Sequence, residues 1–180
     1  MERLIKLWFA LACLSSFSSM VVQAATTDFT ANITDGSCEV TIPNSTITFS
    51  SKAVQAFSSA MTAVELHPVN VELDCVNTAG FAPVLKVTGE STGLTDARLF
   101  RSGSSDAQGV GFMLKAGMVT DLSGFYTVSG TIGPGDSVKI SQDEGISTQA
   151  FTVGLVRGAD EAIPRAGAVH AKISFTFAYP

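Results

Sequence analysis

The residues of this chain able to do chemistry are few, and their spacing limits what they can do. Cys13 falls in an apolar run near the start, which leaves Cys38 and Cys75 as a pair. In an exported chain an even pair reads as a disulfide, and two cysteines without a clustered His or Asp cannot complete a four-ligand zinc site. Closing that loop would contribute roughly 4 kcal/mol on the chain-entropy account of cross-linking. His67 precedes Pro68 in what reads as a turn, and His170 falls on the polar side of an alternating segment. Their separation gives no metal-ligand spacing, so both read as surface histidines. Gly109-Val110-Gly111 lacks the third glycine and the following helix of a dinucleotide loop and reads as a strand end. Ser102 to Asp106 holds serine and aspartate without a nucleophile-elbow pattern. Asp160-Glu161 is a carboxylate pair on a loop, where adjacent side chains diverge, and it reads as solvated. Asn32-Ile33-Thr34 and Asn44-Ser45-Thr46 match the N-glycosylation pattern, which matters only in a source that modifies such sites. The chain is therefore expected to be non-enzymatic, with no catalytic residues, no cofactor, no metal and no small-molecule substrate.

Export itself is read from the first residues. Arg3 and Lys6 form a basic start, Leu7 to Leu14 an apolar run, and Val22-Gln23-Ala24 a small-residue cleavage site. Together they predict a secretory signal peptide over residues 1–24, with an apolar run too short to span a bilayer. The 180 residues carry a formal net charge of −5, and loss of Glu2, Arg3 and Lys6 would make the remainder one unit more negative. An acidic surface argues against nucleic acid and anionic membrane as partners, because both need basic patches. The remaining length suffices for one domain with a real core.

The elements that would position these residues are strands. The strongest is the last, Val169 to Tyr179. Val169, Ala171, Ile173, Phe175, Phe177 and Tyr179 form one face, with His170, Lys172, Ser174, Thr176 and Ala178 between them. A period of two predicts one face on a core and one toward water. No later strand follows to cover its outer edge, and a long apolar edge is a liability that proteins usually blunt. Left open, it suggests that another chain supplies the missing strand. A weaker alternation, Thr27, Phe29, Ala31 and Ile33, follows the leader. Val40, Ile42, Ile47 and Phe49 surround a break at Pro43-Asn44, and Ser51 to Leu66 reads as a loop with one helical turn. Further strands are expected at Val69–Cys75, Val84–Thr88, Val110–Lys115, Phe125–Val128, Val138–Ile140 and Phe151–Val156. Arg101 to Gln108, Gly133-Pro134-Gly135-Asp136 and Gly158 to Gly167 supply turns and loops. Short strands so spaced, with no repeat and almost no helix, predict an all-β sandwich or barrel.

Taken in order, these features resemble the pilin subunits of chaperone–usher (type 1-like) fimbriae. The marks are the alternating segment straight after the leader and the first cysteine in Gly36-Ser37-Cys38-Glu39-Val40. The second cysteine closes the Val69–Cys75 strand, and Gly109-Val110-Gly111-Phe112-Met113-Leu114 is similar to a mid-domain strand of the family. Tyr179 stands in the penultimate position.

The resemblance implies an incomplete immunoglobulin-like sandwich that lacks its seventh and last strand and is completed by a donor strand from another chain. Chaperone–pilin donor-strand complementation is itself a known instance of strand addition. Residues 25–37 would be the N-terminal donor extension and 38–180 the pilin domain. Thr27, Phe29, Ala31 and Ile33 would enter a neighbour's groove, with burial of Phe29 and Ile33 contributing about 1.5–3 kcal/mol each. Val169, Ala171, Ile173, Phe175, Phe177 and Tyr179 would form the chain's own acceptor groove and chaperone-contact strand. The implied partners are a periplasmic chaperone, which would also anchor the terminal carboxylate at Pro180, an outer-membrane usher and neighbouring fimbrial subunits. The route runs through the periplasm to the cell surface, in support of adhesion. Ala31 stands where family donors carry glycine, and the short extension fits a minor or adaptor subunit better than a shaft subunit. A single-domain tip adhesin and a fibre-terminating subunit are the alternatives, and an ordinary closed sandwich is the structural one.

Overall fold

A computed structural model describes residues 36–78, 82–127, 129–140 and 145–179. The signal peptide expected over residues 1–24, the Thr27–Ile33 segment and Pro180 lie outside the described residues. Eight strands are present among those described: β1 (Ser37–Thr41), β2 (Thr62–Val76), β3 (Val84–Gly89), β4 (Gly111–Ala116), β5 (Thr131–Ile132), β6 (Ser137–Lys139), β7 (Gly145–Arg157) and β8 (Ile173–Ala178). One sheet has the order β1-β2-β7-β4-β5 and the other β6-β3-β8, and every ladder is antiparallel. The fold is the all-β two-sheet sandwich expected.

The core forms because each strand turns alternate residues inward. In β2, Val69, Val71, Leu73 and Cys75 are buried while Asn70, Glu72 and Asp74 are exposed. Leu85 and Val87 of β3 meet them from the smaller sheet, with Phe100, Leu114, Phe151 and Val153 completing the cluster. Cys38 and Cys75 face each other directly across β1 and β2 and are joined as expected, Cα to Cα 4.1 Å, closing a separation of 37 residues.

A second cluster lies on the outer face of the larger sheet. Ala63, Leu99, Met113, Phe125, Tyr126 and Val156 are buried there. β7 therefore shows no alternation between Phe151 and Val156: every residue is buried, because both faces are covered. Phe125 lies over Gly154, where a Cβ would fall 2.3 Å from its ring. The Thr152 hydroxyl donates to Gly117 O at 2.8 Å and accepts from Val119 N at 2.9 Å, pinning the covering loop. Lys115 is buried as well. Its Nζ donates to Thr127 Oγ1 and Ser129 O, and burial lowers its pKa.

Several expectations are corrected. His67 and Pro68 are not a turn but mid-strand in β2, opposite Val153 and Thr152. Proline is tolerated there because β1 reaches only to Glu72, so β2 has no ladder partner on that flank at Pro68 among the described residues. The strand expected at Phe125–Val128 is absent from Phe125 to Thr127: Phe125 and Tyr126 are buried loop residues of the second cluster, and Val128 lies outside the described residues. Glu161 is not solvated. It is buried, and its Oε1 accepts from Thr95 N at 2.9 Å and Asp96 N at 2.8 Å, while Asp160 is exposed at φ +54°. The last strand is shorter than its alternation. β8 pairs with β3 only as far back as Gly89, and the residues before Ile173 bond instead to the 102–107 loop.

Candidate functional site

The smaller sheet ends at β8 while the larger one continues beneath it, and an open groove results. One wall is the extended segment Val169–Phe175. The other is the stretch after β1, where Pro43-Asn44 turns the chain out of the ladder and Ile42, Ile47 and Phe49 pack inward without strand pairing. Val69 of β2, Phe112 and Leu114 of β4 and Val153 of β7 make the floor. The groove holds two adjoining cavities. One, of about 220 Å3, lies beside Ile42, Leu114, Ile173 and Phe175. The other, of about 540 Å3, lies beside Val54, Phe57, Leu155 and Pro164 to Ala168.

Backbone bonding shows which way the β8 wall faces. Ser102 N donates to His170 O, Asp106 N and Ala107 N both donate to Ala168 O, and His170 N donates to Ser105 Oγ. In an extended chain the N–H and C=O groups of successive residues point to opposite flanks. The backbone groups of Val169 and Ala171 are therefore directed away from this loop, toward the groove. They form the unpaired flank of the smaller sheet among the described residues.

The predicted groove residues separate into two sets. Val169, Ala171, Ile173 and Phe175 line the groove together. Val169, Ile173 and Phe175 are only half-buried and Ala171 is exposed, which is the burial of a core face lacking part of its cover. Phe175 meets Phe151 of the floor sheet, ring centroids 5.0 Å apart. Phe177 and Tyr179 lie beyond the groove, ring to ring at 5.0 Å, with the Tyr179 hydroxyl beside Gly36 at the start of β1. No Cβ would fit at Gly36: it would stand 2.3 Å from that hydroxyl. The predicted donor residues Thr27, Phe29, Ala31 and Ile33 lie outside the described residues.

Sequence reasoning assigned no role to the opposing wall. Ile42, Ile47 and Phe49 stood out only as apolar residues around a break. It also placed His67 on the surface. The imidazole is half-buried and faces the inner side of β2, packed edge-on against Phe49 at 4.6 Å, with Nε2 2.8 Å from Glu65 Oε1. Glu65 anchors the wall from below. Its carboxylate accepts from Ser50 N, Ser50 Oγ and Lys52 Nζ as well as bonding His67. The Ser50 hydroxyl above all, then His67 and Lys52, hold this carboxyl far below its ordinary value of 4.5. No cluster of three or more His, Cys, Asp or Glu suited to a metal occurs among the described residues. The site is a strip of apolar side chains bordered by backbone that is unpaired among the described residues, suited to binding an extended peptide.

The family described as Fimbrial protein matches residues 27–180. No curated protein matches the sequence. Among solved structures, the chain is similar to the CupB6 tip adhesin from Pseudomonas aeruginosa, at 18% identity and a TM-score of 0.51. That match covers 71% of this chain and 33% of the adhesin, so the chain spans about a third of that relative's length. It is also similar to the P pilus rod subunit PapA, at 14% identity and a TM-score of 0.47, covering 86% of this chain and 100% of that one. A Burkholderia pseudomallei antigen and type I fimbria protein matches at 13% identity and a TM-score of 0.46, over 78% and 99% of the two chains. The likeness to the adhesin is one of fold.

Proposed function

The chain belongs to the fimbrial protein family and is a fimbrial subunit, and from that premise we propose that it is assembled by donor-strand complementation. The observation that carries this reading is the groove: an apolar floor beside β8, flanked by the outward backbone groups of Val169 and Ala171. An added strand would satisfy those groups through ladder bonds, and its alternate side chains would enter the groove and fix the register. A periplasmic chaperone supplies that strand first, and an outer-membrane usher exchanges it for a neighbouring subunit's extension. On the donor side, Thr27, Phe29, Ala31 and Ile33 of this chain enter the next subunit. The protein is exported through the periplasm to the surface, where it serves adhesion as a minor or adaptor subunit of the fibre.

Two pairs of substitutions test the two sides. Val169→Asp with Ile173→Asp sets carboxylates over the apolar floor. This variant is expected to be lost from surface fibres, and its normal incorporation would refute the acceptor role. Phe29→Asp with Ile33→Asp is expected to stop growth beyond this subunit. Growth untouched by that change would favour the single-domain tip adhesin, which has no need of a donor strand.

A further inference from the structure

β8 pairs with β3 only from Ile173 onward, so residues 168–171 of the groove wall rest on another support, the 102–107 loop. By composition that loop is a poor support. Ser102-Gly103-Ser104-Ser105-Asp106 is small and polar, with each residue exposed or half-buried, and such a segment is costly to fix in one conformation. Yet Ser102 N donates to His170 O at 2.7 Å, and Asp106 N and Ala107 N donate to Ala168 O at 2.8 and 3.0 Å. The Ser105 hydroxyl donates to His170 O at 3.1 Å and accepts from His170 N at 2.9 Å. The approach is close: a Cβ at Gly167 would fall 2.5 Å from Ala107 N.

The residue just before the loop supplies its order. Arg101 is only 7% exposed. Its guanidinium donates to Ser105 O at 2.9 Å and Ala107 O at 2.5 Å in the loop, and to Thr92 O at 2.7 Å on the turn after β3. No carboxylate forms an ion pair with it among the described residues. A buried cation is costly unless it is hydrogen-bonded. Here the bonds reach carbonyls on separate stretches of chain, which the planar fork of arginine can span and a single ammonium cannot. The carbonyls of Ser105 and Ala107 are held from one side of the loop, while the amides of Asp106 and Ala107 hold Ala168 on the other.

We infer that Arg101 is a positioning residue for strand acceptance. Acting through the 102–107 loop, it keeps residues 168–171 extended in the empty groove, with the backbone groups of Val169 and Ala171 already set for a ladder. Such pre-organisation lowers the ordering cost of binding. The inference rests on the donor-strand reading above and adds to it a residue that does not itself line the groove.

The test is site-resolved amide hydrogen exchange on the exported chain and its Arg101→Met and Arg101→Lys variants, with the subunit content of surface fibres measured in parallel. In Arg101→Met the amides of Ser102, Asp106, Ala107 and His170 are expected to exchange roughly a hundredfold faster, because two charge-assisted bonds to the loop are lost. The amides of β4 and β7 should keep their protection, and most of the subunit should be lost from fibres. Arg101→Lys, which retains the charge with a single donor group, should fall between the two and carries the test if the methionine variant does not accumulate. Ser105→Ala cuts one link from loop to wall and leaves the buried cation in place, so it should release His170 alone. Unchanged exchange at the four amides would overturn the inference. So would equal acceleration throughout the sandwich, which would make Arg101 a stabiliser of the whole fold. Loosened wall amides with normal fibre content would overturn the link to strand acceptance, while the acceptor reading would still be decided by Val169→Asp with Ile173→Asp.

Discussion

β7 and β8 carry two of the densest apolar patterns in the chain, yet they are used in opposite ways. β7 has β2 on one flank, β4 on the other and side chains packed on both faces, so Phe151 to Val156 are all buried. β8 has β3 on one flank, and its core-facing Ile173, Phe175 and Phe177 are half-buried. Burial of apolar area is the main stabilising term in folding. The region around β7 takes nearly all of that term, whereas the region around β8 leaves part of its apolar area uncovered among the described residues. The polar groups follow the same division. On the β7 side the Asp96 carboxylate is bound by Arg98 Nε at 2.8 Å and Nη2 at 2.6 Å and by the Tyr126 hydroxyl at 2.7 Å, which in turn accepts from Ala159 N. That clamp closes the second cluster over the sheet. On the β8 side the comparable carboxylate, Glu65, secures a wall that stands beside open space.

The largest effect is expected on the closed side. Phe125→Ala would empty a fully buried site over Gly154 and is expected to cost about 3–5 kcal/mol in urea unfolding. It should leave the response to an added strand unchanged, since Phe125 lies on the outer face of the larger sheet. A loss of strand binding in this variant would mean that the two regions are coupled.

That contrast was only half legible in the residues. The open side announces itself, because alternation from Val169 to Tyr179 is a local pattern that the residues alone display. The opposing wall does not: Ile42, Ile47 and Phe49 lie in an extended segment that pairs with no strand among the described residues. The closed side was legible as strands and hidden as a cover. Nothing periodic between Gly117 and Thr127 marks Phe125 as a core residue, and Thr152 and Gly154 between Phe151, Val153 and Leu155 give β7 an alternation that hides its burial on both faces. Pro68 and the Asp160-Glu161 pair misled for a common reason. Local chemistry suggested a turn and a solvated loop, while the ending of β1 at Thr41 and the backbone N–H groups of Thr95 and Asp96, which donate to Glu161, decided otherwise.

A smaller effect sharpens the comparison within β8. Phe175→Ala removes a ring that is half-buried in the free subunit, so the cost there should be about half that of Phe125→Ala, roughly 2 kcal/mol. With a strand in the groove the same ring would be fully covered, and the cost should rise toward about 3–5 kcal/mol. Unfolding of this variant with and without an appended strand measures both. Equal costs in the two states would mean that the strand does not cover Phe175.

The smallest effect concerns pH and separates the two carboxylates. Arg98 holds the Asp96 carboxyl at about 2, below its ordinary 3.8, and Ser50, with His67 and Lys52, holds that of Glu65 well below its ordinary 4.5. Both are bound more tightly as anions in the folded state, so each contributes stability that is fully present above its ordinary value and is lost as the pH falls below it. Both therefore predict weakening between about pH 4.5 and pH 2. They differ in what loosens: protonated Asp96 slackens the clamp over β7, whereas protonated Glu65 releases Ser50 and Lys52 from the groove wall. Glu65→Gln and Asp96→Asn should each flatten the acid limb of the stability curve. Glu65→Gln alone should also weaken strand binding at neutral pH, since Phe49 of that wall lies next to Ser50 and against His67, which shares the carboxylate. Equal strand binding by the two variants would mean that the wall holds its position without Glu65, and the groove would then owe its shape to the packing of Ile42, Ile47 and Phe49 against the core.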